Sequence, residues 1–484
     1  VNTKFVAREY ELTVLAKAIA SNTSSFIVTY GRRRIGKTET ILQFCKKYEL
    51  SSIEFTGKYK ASRSSQIKSF MRQISKQAPS LKNRKVDDWM DAFEVFKEYL
   101  DTISEDNKFV IFIDELPWLD TQKSGLVTEL GDFWNLYASR KPNIILIVCG
   151  SAASYMLKKV IKNKGPLHGR ITQKLPMEEF NLADTKRFLI AKGCAHYSNK
   201  SIVDTYMAIG GVAKYLQALD CSKTPSQALQ ELCFDKTGLL IGEYEELFTS
   251  LFNNANAHMK IMGDLSSRWK GKTKTELANS IGVSKTYIKN TLDELLASGF
   301  VSQTPKFGNR HKESIYAATD FFSYFHNRWM SGTKKVSNWS VAASSQDFAI
   351  WSGYAFEKLC HTHLYQITKA LGINGVPTSA HYWSYAPGTG SDDETGAQID
   401  LLLSHDNSRD IDIIECKYYK SEFTISKKYK DELINKREVF NRRTNNKYNV
   451  RLIIITPYGI KSNSHYNEVS PVAITLDALF EVGQ

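Results

Sequence analysis

Long apolar runs are missing from this chain of 484 residues. The longest, at residues 109–113 and 144–149, fall far short of the roughly 20 residues that a membrane-spanning helix needs. An integral helical membrane protein is thereby excluded, and no membrane partner is expected. No secretory leader is expected either, because the polar N-terminal stretch runs straight into a helical pattern. Cysteine is sparse and unpatterned. Its seven positions (45, 149, 194, 221, 233, 360 and 416) form no CxxC and no regular ladder. An odd, scattered set predicts reduced thiols, a cytoplasmic protein and no zinc site. What remains is an ordinary globular composition, 42% hydrophobic and 24% charged, with length enough for about three domains.

Acidic excess is lacking too, since the formal charge is +13. The positive charge is densest in residues 256–345, where 13 Lys and Arg face 6 Asp and Glu. A basic segment predicts a polyanionic partner, with DNA the first candidate and RNA not excluded.

Against these absences one stretch stands out, residues 25–38, SFIVTYGRRRIGKT. An apolar strand ends at Gly31 and a loop closes on Gly36-Lys37-Thr38, the Walker A spacing. The glycines let backbone amides turn toward phosphate, and a helix N-terminus behind them favours negative charge. Lys37 is placed for the β/γ oxygens and Thr38 for Mg2+. Arg34 is counted with this nucleotide-binding set. Arg32, Arg33 and Arg34 together are free to face phosphate, acidic neighbours or DNA. Downstream, FVIFIDE at 109–115 is a buried strand ending in two carboxylates. Asp114 is the expected Mg2+-shell residue and Glu115 the residue that polarises the attacking water. The next strand ends at Gly150-Ser151, and Ser151 is a candidate γ-phosphate sensor. Arg170, before a last strand at 171–175, is a candidate γ-phosphate arginine from its own or a neighbouring subunit, which allows a homo-oligomer.

GRRRIGKT followed by DELPWL (114–119) resembles the archaeal-type P-loop ATPase family, which lies near the AAA+ and STAND NTPases. FVARE (5–9), GSAASYM (150–156), PLHGR (166–170) and GGVAKYL (210–216) follow in the family's order, with Ala213 standing where proline is common. The resemblance covers residues 5–255. It implies strand order 5-1-4-3-2, an adenine pocket formed partly by FVARE, a helical lid, and a C-terminal nuclease-like domain.

The basic middle reads as helix, turn at Gly282, a second helix capped by Ser284, then two short strands around a basic loop (Lys306, Gly308–Lys312). That is the pattern of a winged helix-turn-helix. Lys285, Thr286, Tyr287, Lys289 and Asn290 form its polar face. Further on, residues 396–403 form a strand headed by Asp400, and residues 411–417 a strand carrying Glu415-Cys416-Lys417. Alternation along a strand puts Glu415 and Lys417 on one face. An acid followed by Glu-x-Lys is the PD-(D/E)xK nuclease constellation. Asp400 and Glu415 would bind a divalent metal, Lys417 would act on the attacking water, and Glu357 on a preceding helix would complete the set. The helix at 427–441, rich in Lys and Arg (Lys427, Lys428, Lys430, Lys436, Arg437), is free to line a phosphate backbone or to be a solvated face.

The expected architecture is α/β. It comprises a P-loop NTPase core (1–176), a helical lid (177–255), a winged helix-turn-helix (256–320), a helical linker (321–345) and a restriction-endonuclease-like C-terminal domain (346–484). The expected cofactors are ATP and Mg2+. The expected activity is ATP hydrolysis coupled to DNA binding and metal-dependent DNA cleavage. The alternative is an ATP-dependent DNA-binding regulatory or signalling ATPase whose nuclease-like domain is non-catalytic.

Overall fold

The apolar runs of the N-terminal half become a parallel sheet. In a computed structural model describing residues 5–267, 270–308, 314–332, 336–387 and 395–482, five strands form it. They are β1 (Ser25–Tyr30), β2 (Ser51–Thr56), β3 (Phe109–Asp114), β4 (Ile144–Gly150) and β5 (Gln173–Pro176). Their order is β2-β3-β4-β1-β5, which read from the other edge is the expected 5-1-4-3-2. β3 and β4 are buried along their whole length, as central parallel strands covered on both faces must be. Alternate residues serve opposite layers. Val110 and Phe112 pack with Leu15, Ile41 and Phe44. Ile111 and Ile113 pack with Phe70, Phe96 and Phe133 on the other face.

The predicted lid is helical throughout, with helices Leu182–Lys192, Asn199–Ile209, Ala213–Ala218, Pro225–Cys233 and Glu243–Leu251. Here the expectation of reduced thiols is corrected. Cys194 and Cys221 form a disulfide, with Cα atoms 4.8 Å apart, a separation within the usual range for the bond. The lid fold brings the end of one helix beside the loop after Leu219, a proximity that cysteine spacing does not encode.

Helices Ala255–Ser267, Lys274–Ile281 and Lys285–Ala297 follow, then a hairpin of β6 (Val301–Pro305) and β7 (Ser314–Ala318). Thr273 and Glu276 make a capping box, and Ser284 caps the next helix as expected. Ile288, Leu292 and Leu295 are buried, while Lys285, Thr286, Tyr287, Lys289 and Asn290 are exposed. Asn309 to Lys312 of the hairpin loop lie outside the described residues.

Within the expected linker 321–345, described aromatic residues pack into a core. Phe321, Phe322, Tyr324, Phe325, Trp329 and Trp339 are buried in one core cluster that runs from the lid to the C-terminal sheet. Their aromatic density is the signal of a packing centre, since such side chains bury large areas.

The C-terminal sheet has order β12-β11-β10-β9-β8. Its strands are β8 (Thr378–Tyr385), β9 (Ala397–His405), β10 (Asp410–Cys416), β11 (Asn449–Thr456) and β12 (Val472–Thr475). β8 and β9 are antiparallel to their neighbours, and β10, β11 and β12 run parallel. Glu357 lies on the first of two helices, Gln346–Thr362 and Leu364–Ala370, with His363 between them. The His363 ring accepts the Leu182 N–H at 3.2 Å, and the Tyr418 hydroxyl donates to Asp204 at 2.7 Å. The C-terminal sheet is thus fastened to the lid. No helix among the described residues is long and apolar enough to cross a membrane.

Candidate functional site

Two sites predicted from sequence assemble, and one segment of chain touches both. At the first, the loop after β1 enters helix Lys37–Lys47 through Gly36, whose φ is 94°. Gly31 leaves no room for a side chain, because a Cβ there would lie 2.0 Å from the Met177 carbonyl oxygen. Lys37 donates to the carbonyls of Gly31 and Arg32 at 3.0 and 2.6 Å. The Thr38 hydroxyl donates to Asp114 at 2.7 Å. A hydroxyl and a carboxylate side by side at the loop end fit a Mg2+ ion, which these two residues would hold.

Glu115 follows in a left-handed conformation, φ 49°. Its Oε2 accepts from the Ser151 N–H at 3.1 Å and hydroxyl at 2.8 Å. Ser151 therefore meets Glu115, a contact the sequence reading did not anticipate. The cavity above the loop is about 740 Å3 and is bordered by Lys37, Thr38, Glu115, Phe180, Ala213 and Lys214, among others. Arg170, expected at a γ-phosphate of its own or a neighbouring subunit, is exposed and does not border this cavity in its own chain. From the FVARE box, Arg8 donates to the Ile35 and Glu178 carbonyls at 2.9 and 2.7 Å, bracing the loop to the lid.

Arg32 is buried and pairs with Asp320 and, at 3.4 Å, with Glu179. Asp320 is fully buried and caps helix Phe321–Phe325. Burial pushes the Glu179 carboxyl up to about 7, against the pull of Arg32. A carboxyl raised above its ordinary 4.5 gives stability that is complete below that value and is lost as pH rises through 7. Glu179→Gln is therefore expected to flatten the stability–pH curve between about pH 4.5 and 7. Thermal melts across that window that keep the wild-type slope would refute this.

At the second site, the β9–β10 register carried one step beyond Ile414↔Leu401 sets Asp400 opposite Glu415. Lys417 Nζ lies 3.7 Å from Asp400 and 3.2 Å from Glu415. Burial and the Glu415 charge push Asp400 up to about 6. Burial, with Asp400 beside it, pushes Glu357 up to about 9. Burial works against the Lys417 charge, but Glu415 and Asp400 outweigh it and raise its pKa.

Two partners of Glu415 were missed from sequence. Lys436 Nζ reaches Oε1 at 2.6 Å and the Tyr429 hydroxyl reaches Oε2 at 3.2 Å. They lie seven residues apart on helix Lys427–Arg443 and so share one face; that spacing is the signal that could have found them. Glu415 thus has both oxygens engaged, and among the described residues no three His, Cys, Asp or Glu side chains are grouped to hold a metal ion. As arranged, this donor set does not fit a divalent ion unless Lys436 leaves Glu415.

The β6–β7 hairpin covers this site. The Phe307 N–H donates to the Tyr382 carbonyl at 3.0 Å, and buried Lys358 donates to the Ala318 carbonyl at 3.2 Å. Between hairpin and sheet is a cavity of about 70 Å3, with Ser302, Thr304 and Ala317 on one side and Glu357, His361 and Asp400 on the other.

Residues 5–219 match the family described as an ATPase domain predominantly from Archaea. An uncharacterized protein of Methanocaldococcus jannaschii, MJECL04, is 25% identical over 424 residues, spanning 86% of this chain and 87% of that protein. The Walker-type ATPase PABY2304 of Pyrococcus abyssi superposes with a TM-score of 0.51 at 16% identity, over 68% of this chain and 97% of its own. That last likeness is one of fold. Residues 5–219 of this chain therefore carry an ATPase domain of the archaeal P-loop type.

Proposed function

We propose that this protein is an ATP-hydrolysing switch that governs a DNA-binding winged helix and a nuclease-like C-terminal domain. The observation that carries the reading is the path of one short segment. Its hairpin, β6–β7, lies over Glu357 and Asp400, and Asp320, two residues past β7, grips Arg32 of the phosphate loop.

In the ATPase site, Lys37 leaves the Gly31 and Arg32 carbonyls to meet β/γ oxygens. Thr38 and Asp114 would hold Mg2+, which would supply charge neutralisation at those oxygens. Glu115 orients the attacking water once Ser151 releases its Oε2. The exposed face of helix Lys285–Ala297 supplies the groove contacts, with Lys285 and Lys289 on phosphate. In the C-terminal site, Asp400, Glu415 and Lys417, with Glu357 beside them, would serve phosphodiester cleavage only after Lys436 leaves Glu415.

The hold of Lys436 on Glu415 favours a second reading, in which the C-terminal domain grips DNA without cutting it. A plasmid assay with Mg2+ or Mn2+, with and without ATP, separates the two. Cleavage is expected to be lost in Asp400→Ala and in Lys417→Ala, and Lys37→Ala is expected to be unresponsive to ATP. Retarded but intact plasmid under every condition would establish the second reading.

A further inference from the structure

Three arginines fill the phosphate loop between Gly31 and Gly36, and the fold sends them three ways. Arg32 turns inward to Asp320 and Glu179. Arg34 turns to the lid helix Glu243–Leu251, where Glu243 and, at 3.6 Å, Glu246 compensate it. Arg33 differs from both. Among the described residues no carboxylate lies within ion-pair distance of it, and its guanidinium sits over the Trp118 ring, 5.1 Å from the centroid. It borders the same cavity as Lys37, Thr38 and Glu115.

Trp118 belongs to the short helix Leu116–Leu119, which starts immediately after Glu115. The turn that sets the water-orienting carboxylate therefore also sets the platform under Arg33. Arg33 and Glu115 thus border one cavity on supports joined by a single short helix. A cation stacked on an indole keeps its hydrogen-bond donors in the ring plane free for an incoming anion.

We infer that Arg33 is the arginine that meets the γ-phosphate of the bound nucleoside triphosphate, within its own chain. This rests on the ATP-hydrolysis reading. In the reaction, water adds to the γ-phosphorus and the bond from that phosphorus to the β,γ-bridging oxygen breaks. The electron pair stays on the β-phosphate of ADP, and the proton from water passes through Glu115 to solvent, leaving inorganic phosphate. Arg33 neither gives nor takes a proton. It supplies positive charge to the equatorial oxygens, where charge accumulates in the transition state. Hydrolysis then needs no arginine from a neighbouring subunit, and the rate per chain is independent of protein concentration.

The test uses the full chain with Arg33→Ala, Arg33→Lys and Arg170→Ala. Turnover of MgATP is measured beside the affinity for ADP alone and for ADP with aluminium fluoride, a mimic of the transition state. Arg33→Ala is expected to lower kcat by about 10³-fold and to weaken the aluminium fluoride complex by a similar factor. ADP affinity is expected to change less than about threefold, because ADP lacks the γ-phosphate. Arg33→Lys is expected to recover part of the rate. The proposal falls if Arg33→Ala turns over like wild type, or if it weakens ADP as much as the aluminium fluoride complex. It falls equally if Arg170→Ala abolishes turnover while Arg33→Ala does not. A wild-type chain that binds no nucleotide overturns the ATP-hydrolysis reading itself, an outcome distinct from these.

Discussion

Arg32→Ala is expected to lower stability by about 3–5 kcal/mol, the usual cost of removing one partner from a buried ion pair. Asp320 is fully buried, and its remaining partners are the Ser323 N–H at 2.9 Å and the Ser323 hydroxyl. Those bonds cap a helix but leave a negative charge inside an aromatic core. The loss is expected to be specific to the broken pair. Arg32→Met combined with Asp320→Asn is expected to recover much of it, since replacing both charges removes the buried ion itself. Denaturant or thermal unfolding of the three proteins measures this. A melting temperature for Arg32→Ala within 2 °C of wild type, on a scale where 1 kcal/mol moves Tm by about 2–4 °C, would contradict it.

Glu115→Gln is expected to keep ATP binding and lower turnover by about 10²–10⁴-fold, the range for removing a group that manages the proton of the attacking water. The amide is nearly isosteric, and its oxygen can still accept from Ser151, whose N–H and hydroxyl hold Oε2 at 3.1 and 2.8 Å. Fold and cavity are thus preserved while basicity is lost. Single-turnover hydrolysis beside equilibrium ATP binding separates the effects. Hydrolysis at the wild-type rate would remove Glu115 from the mechanism.

The parts legible in the sequence were those written in consecutive residues. The phosphate loop, the strand ending at Asp114-Glu115, the Glu415-x-Lys417 strand and the cap at Ser284 all declare themselves within a dozen positions, because local backbone geometry dictates them. What stayed hidden was set by distance along the chain. Arg32 and Asp320 are 288 residues apart, and nothing in GRRRIGKT tells which arginine turns inward. In sequence Lys436 is only one charge on a basic helix, because its inward direction depends on where that helix packs against β9. The aromatic stretch at 321–330 reads in sequence as part of a helical linker, with polar residues after it. Its burial is decided by the lid helix Asn199–Ile209, against which it lies. The disulfide is of the same kind, a product of the lid's path.

Asp320 has one further consequence, which is a matter of reciprocity. The same short segment that covers Glu357 and Asp400 ends on a carboxylate held by the phosphate loop, and if the two ends are coupled, the coupling is a single shared free energy. Any factor by which nucleotide loosens the hairpin must equal the factor by which lifting the hairpin changes nucleotide affinity. A polyanion that draws β6–β7 away from the sheet would then be visible as a change in the dissociation constant of ATP, measurable with the C-terminal carboxylates mutated and no strand cut.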